Sequence, residues 1–148
     1  MAYHFRLETI LTYRKNLEEQ ARLELAREQM ILDNHFRRLG KLKESRIKMA
    51  DMLEKKKKQR MTFARFRFYQ DLIENNKRET QQWNSTIESQ RRIIETARQK
   101  LEERVRAAKI MKNMRDRDFK KFQKESHRQE QNESDELALL RYETRSVI

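Results

Sequence analysis

The sequence has very few of the residues that make turns or cross-links. Among its 148 residues there is one glycine, Gly40, and there is no proline and no cysteine. Because turns are usually built from glycine, proline, asparagine and aspartate, this composition excludes β-sandwiches and other compact sheet folds. The lack of cysteine also excludes disulfide bonds and thiolate metal sites, and it is compatible with a cytoplasmic protein.

Long apolar runs are lacking as well. The longest is Leu137–Leu140, whereas a membrane-spanning helix needs about 20 apolar residues and a signal peptide about 7–15. We therefore expect the chain to stay in the compartment where it is made. With 36% hydrophobic and 41% charged residues, the chain can form a narrow apolar seam between helices but not a thick core. This composition predicts an all-α coiled coil.

Apolar residues in the first part of the chain are spaced alternately by three and four, which is typical of a left-handed coiled coil. This first seam consists of Leu7, Ile10, Leu17, Ala21, Leu25, Leu32, Leu39, Leu42, Met49 and Leu53. Polar side chains that can fix the register interrupt it at Arg14, Glu28, His35 and Arg46. A glycine inside a helix lowers the stability of that helix by about 1 kcal/mol relative to alanine. Gly40 therefore marks either a close approach of two helices or a tolerated weak spot.

The first seam stops at the polar segment 54–60, and a second seam follows in another register. Its members are Ile73, Thr80, Trp83, Ile87, Ile94, Ala97, Leu101, Ala108, Met111 and Phe122. We predict one elongated antiparallel hairpin, with arm one at about 5–53, the bend at about 54–66 and arm two at about 67–122. Thr62 is the expected N-cap of the second helix. The alternative is a pair of unbent helices from two chains.

Residues 123–136 contain nothing apolar, so they form a solvated helix or a frayed tail. We therefore assign 123–148 as a polar tail with a short amphipathic end. No catalytic site is predicted, because one glycine cannot form a phosphate-binding loop and His4, His35 and His127 lie far apart. A two-helix hairpin also offers no pocket that perturbs a carboxylate pKa. We expect no enzymatic activity, no cofactor, no metal and no small-molecule ligand.

The most unusual surface is the basic, aromatic bend. Residues 55–67 carry seven lysines and arginines and no acid, and Phe63, Phe66, Phe68 and Tyr69 lie among or beside them. The net charge of +12 favours acidic partners in general: nucleic acid, an anionic membrane surface or an acidic protein. At the bend this leaves three interpretations: a single-stranded nucleic acid site, a contact with an acidic, partly apolar protein, or solvated lysines around aromatic rings that close the hairpin.

Three stretches together resemble the family of the flagellar export protein FliJ. They are AYHFRL at residues 2–7, RFYQDLI at 67–73, and DELA at 135–138 followed by Arg141 and Tyr142. The resemblance implies an antiparallel coiled coil similar to the central stalk of rotary ATPases. It further implies a non-enzymatic role in bacterial flagellar type III export, with no catalytic residue of its own.

The resemblance also implies partners. They are the hexameric export ATPase (FliI-like), the membrane export gate (FlhA-like) and substrate chaperones, and the chain would meet the membrane only through this apparatus. The matched residues for the gate are Phe68, Tyr69, Leu72, Asn76, Glu79 and Trp83. The candidates on the ATPase side, chosen by charge and position, are Arg14, Lys15 and Arg141. Alternatives are the stalk of a virulence-type secretion system, a basic nucleic-acid-binding coiled coil and a plain structural dimer. The resemblance itself implies no nucleic acid partner.

Overall fold

The computed structural model describes residues 2–147, and this part of the chain is helical with no strand. Two helices account for most of it: α1 spans Glu8–Lys57 and α2 spans Phe63–Ser146. They pack against each other as a coiled-coil hairpin, which confirms the predicted fold class. The segment between the helices, residues 58–62, falls within the interval predicted for the bend.

Local signals explain where both helices begin and end. The backbone N–H of Arg65 donates to Thr62 Oγ1 at 3.4 Å, so Thr62 caps α2 as expected. Three lysines, Lys55, Lys56 and Lys57, occupy the last turn of α1, where positive charge complements the negative end of the helix dipole. Glu8 opens α1 with the opposite charge at its positive end. The bend therefore forms without glycine or proline.

The chain divides into two compact units, and both helices contribute to each. The bend unit comprises Gln20–Glu102, and the end unit combines the residues up to Glu19 with those from Glu103 onward. In the bend unit the helices run antiparallel. Contacts from α1 to α2 follow one another in reverse order, as shown by the pairs Glu24 with Lys100, Glu28 with Gln90, Leu42 with Asn76, and Lys56 with Tyr69.

The end unit is built around a small apolar cluster of Phe5, Leu11 and Met111, against which Tyr3 and Leu7 also pack. The sequence pattern predicted Ile10 as a seam residue, but Ile10 is 42% exposed and Leu11 is fully buried in its place. The non-helical residues before Glu8 supply Phe5 and Tyr3. Leu7, in the turn just before α1, and Leu11, in the first turn of α1, both pack in this cluster.

All other members of the two predicted seams are buried or half-buried. Buried side chains in those seams are Ala21, Leu39, Leu53, Thr80, Ile87, Ile94, Ala97, Ala108 and Met111. Gly40 does not mark a close helix approach, because a Cβ added there would meet no atom within 4 Å. Beyond Ser126, every described residue of α2 is exposed. The polar tail is thus helical through Ser146.

Candidate protein-binding surfaces

The aromatic residues at the bend divide into two pairs with different surroundings. Phe63 and Phe68 are exposed, with 76% and 59% of their surface in contact with solvent. Phe66 and Tyr69 are half-buried, and each lies beneath a lysine of α1: Lys57 Nζ is 5.2 Å from the Phe66 ring and Lys56 Nζ is 4.8 Å from the Tyr69 ring. One pair therefore closes the bend, and the other remains available to a partner.

Lysine contacts hold this end of the bend unit together. Lys56 Nζ donates a hydrogen bond to the Tyr69 hydroxyl, and Lys57 Nζ lies 3.6 Å from the Glu54 carboxylate. Cation–π contacts of this kind are worth about 0.5–1 kcal/mol at exposed sites. The other cations of residues 55–67 are exposed. The bend thus presents a positive field with two exposed phenylalanine rings, which suits an acidic partner that also has apolar groups.

A groove between the helices lies further along the bend unit, around Trp83. Its volume is about 330 Å³, and its lining consists of Arg38, Lys41, Leu42, Ser45, Glu79 and Trp83. The Trp83 ring is half-buried between two side chains of α1, with its centroid 5.2 Å from the His35 ring and 5.6 Å from the Arg38 guanidinium. The indole is therefore held in place and still borders an open space.

Buried polar side chains connect the two helices of the bend unit. Asn76, only 6% exposed, donates from Nδ2 to the Leu42 carbonyl at 3.0 Å. Gln90 donates from Nε2 to the carbonyl of Glu28 at 3.0 Å and to its carboxylate at 2.5 Å. Within residues 2–147, the Asn76 Oδ1 atom is buried without a hydrogen-bond partner. The Asn76 side chain therefore points toward α1. The sequence pattern placed it on the outer face of α2 with the other gate residues.

The end unit holds the residues predicted for the ATPase side. Arg14 is half-buried and donates from Nη1 to the Ala107 carbonyl at 3.0 Å, so one of its donors binds the partner helix. Lys15 and Arg141 are exposed. Near Arg141, four large side chains of the α2 C-terminal stretch are also exposed: Leu137, Leu139, Leu140 and Tyr142. These exposed leucines were visible in the sequence only as a short apolar cluster.

Tyr3 fastens the N-terminal residues to α2 of the end unit. Its hydroxyl donates to Asp118 Oδ2 at 3.0 Å and lies 3.3 Å from the Arg115 carbonyl. Its ring lies 5.0 Å from that of Phe119 and 5.2 Å from that of Phe122. Burial of the ring and the hydrogen bond to Asp118 raise the pKa of Tyr3 above its ordinary value. The hydrogen bond from Tyr3 to Asp118 therefore requires the protonated, neutral form of the tyrosine.

Residues 2–147 contain no cluster of three side chains able to hold a metal ion. In the same part of the chain, no helix is both long enough and apolar enough to cross a membrane. The surfaces described above are the charged bend with its exposed aromatic rings, the Trp83 groove and the exposed leucines of α2. Their chemistry suits the recognition of other macromolecules, through charge, aromatic rings and exposed leucines.

The sequence as a whole matches one protein family. The family model described as flagellar FliJ protein matches residues 3–146, which is almost the whole chain. The chain belongs to the FliJ family. No curated protein sequence matches it. Among solved structures, a chain described as a YscO homolog from Chlamydia trachomatis is similar, with 19% identity, 98% coverage of each chain and a TM-score of 0.48; a likeness this distant carries no argument about function.

Membership of the FliJ family makes this chain a stalk-type protein of type III export, from a family of non-enzymatic proteins. The residues predicted for the gate all lie in the bend unit, and those for the ATPase side all lie in the end unit. Sequence reasoning missed Leu11, Gln90 and the two cations of the Trp83 groove. Arg38 and Lys41 belong to α1. The sequence motif on α2 contains no information about which α1 side chains pack beside it.

Proposed function

We propose that this protein is the stalk of the flagellar type III export apparatus. It binds the hexameric export ATPase and promotes its activity, contacts the membrane export gate and escorts substrate chaperones. The observation that carries this proposal is the FliJ family match over residues 3–146 of a two-helix coiled coil. The protein would then lie at the inner face of the cell membrane, at the flagellar base, and serve flagellum assembly and motility.

Contact with the ATPase is assigned to the end unit. Lys15 and Arg141 are exposed there and can meet carboxylates of the ring, whereas Arg14 has a second task in binding the Ala107 carbonyl. The exposed leucines of α2 add apolar area beside Arg141. A stalk without catalytic residues acts on hydrolysis by binding one conformation of the ring subunits more tightly than the others, which shifts their population.

Contact with the gate is assigned to the bend unit. Phe68, Tyr69, Leu72, Glu79 and Trp83 reach its surface to different extents. Asn76 has a different part in this proposal, because its side chain is buried against Leu42. It would hold the register of α1 and α2 beneath the face, so that the outward residues keep their spacing.

The test of the ATPase proposal is a hydrolysis assay with the purified export ATPase of the same bacterium. We expect the full chain to raise the rate of ATP hydrolysis in a saturable manner. The double variant K15E and R141E should need a higher concentration for half-maximal stimulation. The control variant K43E and K48E, which changes two exposed lysines of the bend unit, should behave as the wild type. An unchanged rate at saturating protein would refute the proposal.

A virulence-type secretion system would use the same mechanism in another machine. Deletion of the gene distinguishes the two. Loss of swimming with intact secretion of virulence effectors supports the flagellar assignment, whereas the reverse supports the virulence-type system. This test needs no assumption about which residues bind which partner.

Nucleic acid binding is the second candidate, because Phe63 and Phe68 are exposed beside seven cations. Exposed aromatic rings with a basic surface suit stacking on single-stranded bases. Fluorescence titration with a labelled single-stranded oligonucleotide at several salt concentrations decides the matter. Sub-micromolar affinity at physiological salt, lost in F63A and F68A, would support this candidate. Weak binding that vanishes at about 150 mM salt reflects only nonspecific charge attraction.

A further inference from the structure

The bend carries positive charge that the hairpin itself does not use. Residues 55–67 contain seven lysines and arginines and no acid. Within residues 2–147, only Lys56 and Lys57 of these seven bind another side chain of the hairpin. The remaining five cations are exposed and form no ion pair; they are Lys55, Lys58, Arg60, Arg65 and Arg67. The bend therefore has several cations available to an anionic partner.

This charge surrounds the closed end of the bend unit and does not line a single groove. Successive residues of a helix are rotated by about 100°, so Lys55, Lys56 and Lys57 leave the last turn of α1 in three directions. Lys58 and Arg60 continue the charge into the connection between the helices. A nucleic acid strand binds in a groove that follows its backbone, whereas a flat anionic surface can meet all of these cations at once. Clusters of about four to eight cations are typical of anionic lipid contacts.

Phe63 and Phe68 add two apolar rings to the same end. Their exposed fractions are 76% and 59%. Because they lie five residues apart on α2, they are rotated by about 140° and separated by about 7.5 Å along the helix axis. Rings on different sides of a helix form no common platform for neighbouring bases. The interface of a bilayer accepts apolar groups to a depth of about 5–10 Å, so it can take both rings without requiring that they share a face.

Contacts within the hairpin hold the bend in shape before it meets any surface. Phe66 lies beneath Lys57, and Tyr69 lies beneath Lys56. Thr62 caps the first turn of α2. The exposed cations and rings are therefore presented from a short, fastened connection, which lowers the entropic cost of binding.

We propose that the bend binds directly to an anionic phospholipid membrane. In this proposal the cations of residues 55–67 lie at the headgroup phosphates, and the rings of Phe63 and Phe68 insert at the boundary with the acyl chains. Charge attracts the chain to the surface and the rings retain it, because two signals together give a more stable attachment than either alone. The family resemblance implies a membrane contact through partner proteins only, and this direct contact is independent of those partners.

The first test is a flotation assay with the purified full chain at physiological salt. One set of vesicles contains equal parts of phosphatidylglycerol and phosphatidylcholine, and the other contains phosphatidylcholine alone. We expect the chain to float with the anionic vesicles and not with the neutral ones. Binding to both sets equally would overturn the proposal. Binding to neither would also overturn it, and would leave an acidic protein as the partner of the bend.

The charge of the bend is tested by the variant K58E with R60E. Its control is K109E with K112E, which makes the same change in net charge at exposed positions of the end unit. Since each cation near an anionic surface strengthens binding about fivefold, the bend variant should bind at least about tenfold more weakly than the wild type. An equal loss in the control would show that the overall charge of the chain, and not the bend, attracts the vesicles.

The rings are tested by F63A with F68A. The control is L23A with M30A, which removes two side chains of α1 that are 58% and 67% exposed. Loss of both rings should weaken vesicle binding by about tenfold, and the control should bind as the wild type. Unchanged affinity of F63A with F68A would show that the rings stay in water and that the bend does not insert.

Insertion itself is measured by moving the indole to the bend. Trp83 is the only tryptophan of the chain, so the variant F63W with W83F carries its indole at the bend alone. Anionic vesicles should shift its emission to shorter wavelength, and bromine atoms on the acyl chains should quench it. If the emission does not respond to vesicles and a single-stranded oligonucleotide binds more tightly than they do, the bend is a nucleic acid site and the proposal is wrong. Circular dichroism of each variant establishes that its helices are intact.

Discussion

The end unit and the bend unit use different side chains to hold α1 against α2. Phe5, Leu11 and Met111 form an apolar cluster in the end unit, whereas Asn76 and Gln90 occupy buried positions in the bend unit. Each of these two polar side chains donates to a carbonyl of the opposite helix. The end unit also has hydrogen bonds to α2, but its donors Tyr3 and Arg14 are only half-buried, whereas the two donors of the bend unit are buried amides.

This difference separates two tasks: holding the two helices together (adhesion) and fixing their relative position along the helix axis (register). Apolar contacts are strong and tolerate sliding of one helix along the other, whereas a buried amide that must find one carbonyl penalises every other register. The bend unit contains the proposed gate surface, where side chains of both helices must be aligned. The two buried amides therefore lie in the unit that contains the proposed gate surface.

The largest effect is expected at the centre of the apolar cluster. The L11A substitution removes a fully buried side chain, which costs about 2–5 kcal/mol of unfolding free energy. Thermal and urea unfolding followed by circular dichroism measures this loss. The control is L23A, because Leu23 is exposed on the same helix and its loss should change stability by less than about 0.5 kcal/mol. Equal effects of both substitutions would show that the cluster is not tightly packed.

A smaller loss is expected when the bend unit loses a register contact. The Q90A substitution leaves the half-buried Glu28 carboxylate without its donor, so stability should fall by about 1–3 kcal/mol. The exposed Gln81 gives the matched control Q81A, with little effect. Q90A should also weaken gate binding, although Gln90 is not among the residues proposed to contact the gate. A loss of stability without any loss of affinity would contradict the separation of adhesion from register.

Gly40 allows a gain of stability in the bend unit. A Cβ at this position meets open space, and alanine is favoured over glycine in a helix by about 1 kcal/mol. G40A should therefore raise the unfolding free energy by up to that amount, and the mirror substitution A26G, at an exposed position of α1, should lower it similarly. If G40A destabilises the chain, a helix or partner approaches Gly40 closely in solution.

Periodicity is sufficient to predict the pairing of the helices but not the details of their ends. The heptad pattern identified Ile87, Ile94 and Ala108 as buried, because a coiled coil repeats the same contact every seven residues. It chose Ile10 over Leu11, because the first turn of α1 packs on the non-helical residues around Phe5, which follow no repeat. A repeat on α2 likewise contains no information about which α1 side chains, such as Arg38, will line its groove.

The smallest effect on stability is expected at the C-terminal end of α2. All described residues beyond Ser126 are exposed, so a chain ending at Glu130 should unfold within about 0.5 kcal/mol of the full protein. A chain ending at Asn113, which lacks the partners of Tyr3, should be clearly less stable. The shorter deletion removes Arg141 and the exposed leucines, so it should abolish ATPase stimulation while the fold remains. If stimulation persists, the ATPase contact lies elsewhere in the end unit.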